Sequence, residues 1–398
     1  VGLPNQLREL DRGTGLGGAS GDDVLDWPPV ADTPIIPAYD GACIANIAPI
    51  VLGPRRGGAP PAWFPSTALT ARQTVLFVLD GLGWDQLQAR RHLAPTLSGL
   101  EGGAIHAVAP TTTATGLTSI TTGLPPGEHG VIGYRISVDN EILNVLRWNT
   151  AAGDARRRIL PRDIQSLPPF LATRPPVVTR AEFAESGFSA AHLGGSRQIG
   201  YRVTSTLAVE VRRLLRAGER FVYAYYDGID KVAHEYGFGE HYDAELTAVD
   251  NLVALVIESL PEGAALLVTA DHGQVDVGDD MIPVHADVLK MVRVQSGEAR
   301  FRWLHARPGA AADLAVAADA AHRGDAWVTT LEQMRDEHWF GPQLPRAVAD
   351  RLGDVALVAS RPIGFDDPAD SGPFALVCRH GSMTPDEVLV PLLAARRG

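Results

Sequence analysis

The chain has 398 residues, 45% hydrophobic and 21% charged, an ordinary soluble-globular balance with room for a large core in one α/β domain or two to three domains. A formal net charge of -12 argues against a nucleic-acid polymer or an anionic membrane as the main partner, but not against a small anionic substrate, because bound cations would invert the local field. Two cysteines, Cys43 and Cys378, exclude a disulfide framework and a zinc ribbon; no apolar run has transmembrane length and no signal-peptide pattern is visible, so the expected location is cytoplasmic.

Residues 1–37 are rich in Gly, Asp and Pro and read as a loosely structured segment. Gly13-Thr14-Gly15-Leu16-Gly17-Gly18 formally matches a dinucleotide fingerprint, but lacks the strand before it and the helix after it, and reads as loop. Ala42 to Leu52 has a helix-like apolar pattern. Thr74 to Leu79 (TVLFVL) is a continuous apolar run, the mark of a central strand buried on both faces, with a helix expected from Trp84 to Arg91. A strand over Ala104 to Val108 leads through a threonine-rich turn into a small-residue helix, Ala114 to Thr121.

Further strands are expected at Phe221 to Tyr226 and Ala264 to Thr269, and a long helix at His241 to Leu260. This alternation predicts an α/β fold, a sheet sandwiched between helices. After Val277 the texture becomes α+β: strand signals over Val292 to Leu304, an Ala-rich helix over Ala310 to Ala321, and mixed signals from Trp327 to Trp339. Core-like sequence returns at Phe374 to Cys378 and Val388 to Leu393. The expected organisation is a catalytic core over 38–281 and 369–398, interrupted by a smaller inserted cap over 282–368.

Four acidic or histidine clusters fall where apolar runs end: Asp80, Asp230 with His234, Asp271 with His272, and His380. Ligands bind at the carboxyl ends of strands in open α/β sheets. Oxygen and nitrogen donors without thiolates suit zinc or manganese. Asp230 and His234 are four apart, so a helical turn would place both on one face. Each cluster alone reads as turn chemistry; four together, beside a hydroxyl-bearing helix start, do not. That helix start favours an anion, although most threonines there are simple N-caps.

These motifs together resemble the type I phosphodiesterase/nucleotide pyrophosphatase family of the alkaline phosphatase superfamily. The match runs from about Gly41 to Leu393 through Asp80, Pro110-Thr-Thr-Thr113 to His129-Gly130, Tyr226-Asp-Gly-Ile-Asp230-Lys-Val-Ala-His234, Thr269-Ala-Asp271-His272-Gly273 and His380-Gly381-Ser382. The resemblance implies an alkaline-phosphatase-like fold and a two-metal site, normally zinc with manganese possible, with the ions roughly 4 Å apart. It places the nucleophile on Thr113, with Asp80, Thr113, Asp271 and His272 on one ion and Asp230, His234 and His380 on the other. It implies hydrolysis of a small phosphodiester or pyrophosphate substrate through a phosphothreonine intermediate.

The family's phosphoryl-binding asparagine is replaced by Tyr134, which either donates one hydrogen bond or packs. Alternatives are a phosphonate or phosphomonoester hydrolase of the same superfamily, or a catalytically silent metal-binding protein. No arginine lies beside Thr113 in sequence, which favours diesters over dianionic monoesters. Asp227 is either support for the site or a turn residue, and Lys231 is expected to face solvent. At least one of Tyr223, Tyr225 and Tyr226 should face the core, and His285 and His305 should lie on the surface of the cap. Arg135, Trp148, Arg302 and Trp303 are weaker substrate-contact candidates.

Overall fold

The apolar run after Arg72 forms strand β1 (Gln73–Leu79), whose last six residues are all buried. A computed structural model describes residues 33–54, 60–370 and 376–397. The expected Gly13–Gly18 loop and nearly all of the N-terminal segment lie outside the described residues. Six more strands join β1: β2 (Glu101–His106), β3 (Pro176–Arg180), β4 (Arg197–Tyr201), β5 (Phe221–Tyr226), β6 (Ala264–Thr269) and, far along the chain, β11 (Leu389–Arg396). Their order is β2-β11-β6-β1-β5-β3-β4, with β11 antiparallel to both neighbours and the other pairings parallel. Burial on both faces is why β1, β5 and β6 read as unbroken apolar runs, each large side chain contributing about 1.5–3 kcal/mol.

Helices flank this sheet: α1 (Ile47–Leu52), α2 (Trp84–Ala89), α3 (Thr113–Thr122), α4 (Thr204–Arg216), α5 (Gly228–Tyr236) and α6 (Glu240–Glu258). All ten residues of α3 are buried, so its small side chains let it approach the sheet closely. A Cβ on Gly116 would lie 2.7 Å from the carbonyl oxygen of Asp271, which places α3 against the end of β6. The mixed sheet between helices is the α/β architecture expected from the alternation of apolar runs.

Residues 292–359 build a second, four-stranded antiparallel sheet. Its strands are β7 (Val292–Glu298), β8 (Phe301–Ala306), β9 (Ala326–Thr330) and β10 (Val355–Ala359), in the order β7-β8-β10-β9, with helix α7 at Ala311–His322. One face has an apolar cluster of its own, around Leu304, Leu314, Val355, Leu357 and Phe365, while Phe301, Trp303, Ala356 and Val358 join the main core. A buried ion pair braces this sheet to the core: Arg300 Nε and Nη2 donate to Glu387 Oε1 and Oε2 at 2.7 and 2.8 Å, both side chains fully buried.

Several expectations need correction. Strands β3 and β4, and a small antiparallel sheet over 135–154, carry no strong apolar signal and were not anticipated. The strand expected over Ala104 to Val108 begins earlier and ends at His106, as an edge strand. The strand expected over Phe374 to Cys378 is, in its described part, only the bridge-like pair Cys378–Arg379 against Val275–Asp276; it is not part of the central sheet. His305 is buried and bonded to Ser296 Oγ at 2.8 Å, not on the surface, whereas His285 is exposed. No helix among the described residues is long and apolar enough to cross a membrane.

Candidate metal-assisted active site

The carboxyl ends of β1, β5 and β6 and the start of α3 meet at one place. β1 delivers Asp80; a turn with Gly81 at φ +73 follows. A Cβ there would lie 2.4 Å from Gln274 Nε2 and 3.0 Å from the Asp230 side chain, so glycine is needed for both the backbone and the space. The Gly81 N–H donates to Asp271 Oδ1 at 3.2 Å, tying the ends of β1 and β6 together. After β5 the chain enters α5, and its turn sets Asp230 Oδ1 3.2 Å from His234 Nε2.

The threonine turn separates two roles. Thr112 is the N-cap of α3, its hydroxyl accepting from the Thr115 N–H. Thr113, the next residue, is the first in the helix and its hydroxyl is free of capping; Oγ1 lies 3.1 Å from His272 Nε2. His129 supports this helix from the side. Its Nδ1 accepts the Val131 N–H, so Nε2 carries the proton and donates to Ser119 Oγ at 2.8 Å.

Seven predicted ligand positions come together. Nε2 of His272 is 3.4 Å from Asp80 Oδ1 and 3.6 Å from Asp271 Oδ2, and Nε2 of His380 is 3.8 Å from Asp230 Oδ1. The His272 and His380 rings stack with centroids 3.7 Å apart. Candidate donor atoms of Asp230, His234 and His380 lie within 4.8 Å of one another, as do those of Asp80, Asp230 and His272. By distance Asp230 therefore belongs to both groups, where the resemblance assigned it to one.

The chemistry of the donors fits divalent cations. Nδ1 of His234, His272 and His380 faces the backbone carbonyls of Cys378, Gly273 and Thr111 at 2.6, 3.0 and 2.8 Å. A carbonyl only accepts, so each Nδ1 carries a proton and each Nε2 faces inward. Asp80 Oδ1 and Asp271 Oδ2 are buried without a hydrogen-bond partner. Burial pushes the Asp80 carboxyl well above the ordinary carboxylate range, with Asp271 and Asp230 adding to the shift. Burial, and then Asp230, likewise raise Asp271, with His272 opposing. Burial holds His380 well below the usual imidazole value, and His272 and His234 lower it further. Convergent carboxylates and inward-facing imidazole nitrogens of this kind are stabilised by cations.

Other side chains orient these groups. The Tyr225 hydroxyl donates to Asp80 Oδ2, and Gln274 Nε2 donates to Asp230 Oδ1 at 2.9 Å. The period of β5 signals Tyr225, since Tyr223 and Tyr225 share a face while Tyr226 turns away to bond Glu245; all three are buried. Nothing in the sequence signals Gln274. Asp227 is bonded to Arg180 and to Lys231, whose ammonium is thus paired although half exposed. Trp148 is fully buried, with its indole donating to the Ile159 carbonyl, and is no substrate contact. Arg135 and Arg302 are also buried, on Asp367, and Trp303 is core.

Among the described residues, cavities open at Thr113. One, about 330 Å3, is lined by Thr113, Tyr134, Arg147, Glu298, Arg379 and His380 among others. The second, about 210 Å3, is more apolar and includes Asp80, Thr113, Phe183, Phe188, Leu193 and Tyr225. Tyr134 thus reaches the cavity wall, and arginines distant in sequence reach the surroundings of Thr113. Folding brings in what sequence proximity to Thr113 did not show.

The sequence profile of the type I phosphodiesterase / nucleotide pyrophosphatase family matches residues 74–207 and 196–382. Solved structures with the same fold include murine ectonucleotide pyrophosphatase / phosphodiesterase 5, 15% identical, with a TM-score of 0.62 over 81% of this chain and 88% of the other. The human counterpart is 14% identical, with a TM-score of 0.61 over 81% and 88%. Phosphonoacetate hydrolase from Sinorhizobium meliloti 1021, in complex with phosphonoformate, is 19% identical, with a TM-score of 0.61 over 83% and 91%. No curated protein matches the chain in sequence. The protein belongs to the type I phosphodiesterase / nucleotide pyrophosphatase family, and is a hydrolase.

Proposed function

We propose that the protein hydrolyses a small phosphodiester or pyrophosphate through a covalent intermediate on Thr113. The observation that carries this is the free Thr113 hydroxyl at the start of α3, 3.1 Å from His272 and facing the carboxylate–imidazole cluster. Asp80, Asp271 and His272 with Thr113, and Asp230, His234 and His380, would hold two divalent cations, zinc or manganese. Bound there, the cations supply the positive charge that lowers the hydroxyl's pKa and neutralises the phosphoryl group. Thr113 Oγ1, its proton lost to solvent, bonds to phosphorus as the leaving oxygen departs with the P–O electron pair. Water then breaks the phosphothreonine bond and restores the hydroxyl. The N-terminal end of α3 favours the non-bridging oxygens. Residues 282–368 act as a cap that shapes the substrate's access.

Arg147 and Arg379 in the cavity favour a second reading, hydrolysis of a phosphonate or phosphomonoester, whose extra negative charge a diester lacks. Rates on bis(4-nitrophenyl) phosphate and 4-nitrophenyl phosphate, before and after chelation and zinc or manganese return, separate the readings. Diester preference, loss on chelation and a phosphothreonine trapped by acid quench support the first. A monoester preference supports the second, and full activity after chelation with Thr113→Ala defeats both.

A further inference from the structure

The cavity beside Thr113 holds cationic side chains that the metal-ligand cluster does not use. Arg147 and Arg379 both line it, together with Thr113 and His380. Nε of Arg379 is buried without a hydrogen-bond partner. The acids of the same wall are otherwise occupied. Asp370 lies 3.7 Å from Arg135 and 3.6 Å from Arg302. Glu298 accepts the Tyr134 N–H on Oε2, and burial raises its carboxyl to about 8, so near neutral pH it is largely uncharged. Its Oε1 is buried without a partner, against Gly381.

The wall therefore offers two guanidiniums and a mostly neutral carboxyl to the space next to the nucleophile. The backbone that presents Arg147 is held in an unusual conformation. Its N–H bonds Asn144 Oδ1 at 3.0 Å, and the next residue, Trp148, is fully buried at φ +53. A non-glycine residue is kept there only by the packing around it, here the buried indole bonded to the Ile159 carbonyl. Arg147 is exposed at the cavity mouth, and the buried, unpartnered Nε–H of Arg379 is a donor that an anion in the cavity would satisfy.

We propose that Arg147 and Arg379 form a subsite for a second anionic group of the substrate, a further phosphate or a carboxylate, next to the phosphoryl group that Thr113 attacks. Planar guanidiniums suit either anion through paired N–H···O bonds. The subsite deepens the phosphoryl-transfer reading and rests on it. Its consequence is selectivity: a diester with a single charge leaves the arginines unpaired, whereas a pyrophosphate or a phosphonocarboxylate satisfies them.

The test is kcat/KM of the zinc-loaded enzyme on bis(4-nitrophenyl) phosphate, ATP and phosphonoacetate, for wild type, Arg147→Ala, Arg379→Ala and Arg379→Lys. The expected result is a wild-type preference for ATP or phosphonoacetate. The ratio of that preferred substrate to bis(4-nitrophenyl) phosphate should fall about tenfold or more in each alanine variant, mainly through KM, and less in Arg379→Lys. Loss confined to ATP assigns a phosphate; loss confined to phosphonoacetate assigns a carboxylate. An active enzyme with unchanged ratios, or a wild type that prefers the singly charged ester, overturns the subsite alone. An enzyme inert on all three overturns the phosphoryl-transfer reading, and the subsite with it.

Discussion

The Thr113 hydroxyl oxygen sits 3.1 Å from Nε2 of His272, whose Nδ1 is turned to the carbonyl oxygen of Gly273. That geometry turns Nε2 towards the hydroxyl, which is held in place before any substrate enters. The capping task at the same helix end belongs to its neighbour Thr112. Capping and contact with the cluster are thus divided between two neighbouring threonines, Thr112 and Thr113.

Replacement of this hydroxyl separates the two tasks. Thr113→Ala should lower kcat by about 10^3-fold or more, with the thermal midpoint nearly unchanged because the cap remains. Thr113→Ser should keep a measurable fraction of the rate. Acid-quenched intact mass should show a phosphoryl adduct in wild type and none in Thr113→Ala. An Ala variant that retains wild-type kcat would remove Thr113 from the mechanism.

Tyr225 tests the support of Asp80. Its hydroxyl donates to Asp80 Oδ2 while Oδ1 stays unpartnered and inward. Tyr225→Phe keeps the packing and deletes that bond, so metal affinity should weaken by about 10–100-fold, as for other residues that orient ligands. Zinc titration of the chelated protein, followed by calorimetry, measures it. Equal affinity in wild type and Tyr225→Phe would show that the tyrosine merely packs.

Arg300 and Glu387 are both fully buried, and Glu387 also receives the Ser382 N–H at 2.9 Å and the Thr384 hydroxyl at 2.6 Å. Glu387→Ala strands a buried guanidinium and should cost about 3–5 kcal/mol. Replacing both partners with Leu and Met should recover part of the loss. Urea unfolding of the single and double variants reads the coupling, and a double variant no better than the single would contradict it.

Acid sensitivity has a stated sign. His129 is pushed down to about 3 by burial and then by Arg351, and burial holds His192 and His305 near 4. In the unfolded chain these rings titrate near pH ~6.5. Below that pH the unfolded state takes up protons that the folded state refuses. Their contribution is therefore complete above pH ~6.5 and lost as pH falls towards the folded values, at about 1.4 kcal/mol per pH unit for each proton. The raised carboxyls of Asp80 and Asp271 act in the opposite sense in metal-free protein. His129→Gln should flatten the acid slope of urea midpoints measured between pH 7 and 5. An unaltered slope would mean that His129 is not held neutral.

Local sequence determined the elements that carry their own signal. β1, β5 and β6 are apolar on both faces, and α6 is long enough for its period to show, so they read correctly from composition alone. The spacing of Asp230 and His234 likewise settled their shared face, because one helical turn fixes i and i+4. Strands β3 and β4 were not legible, since they are short, β4 contains Gly200, and they gain strand character by pairing with each other and, for β3, with β5. His380 was expected at the end of a core strand, yet it reaches the cluster from a loop after a two-residue pair. Only the tertiary structure decided which distant groups meet: Gln274 on Asp230 at the cluster, Arg147 and Arg379 in the cavity at Thr113, and Glu387 on Arg300 between the second sheet and the core. The physical reason is that side-chain chemistry and helical spacing are encoded locally, whereas burial, desolvation and the pairing of distant charges exist only once the chain has closed around them.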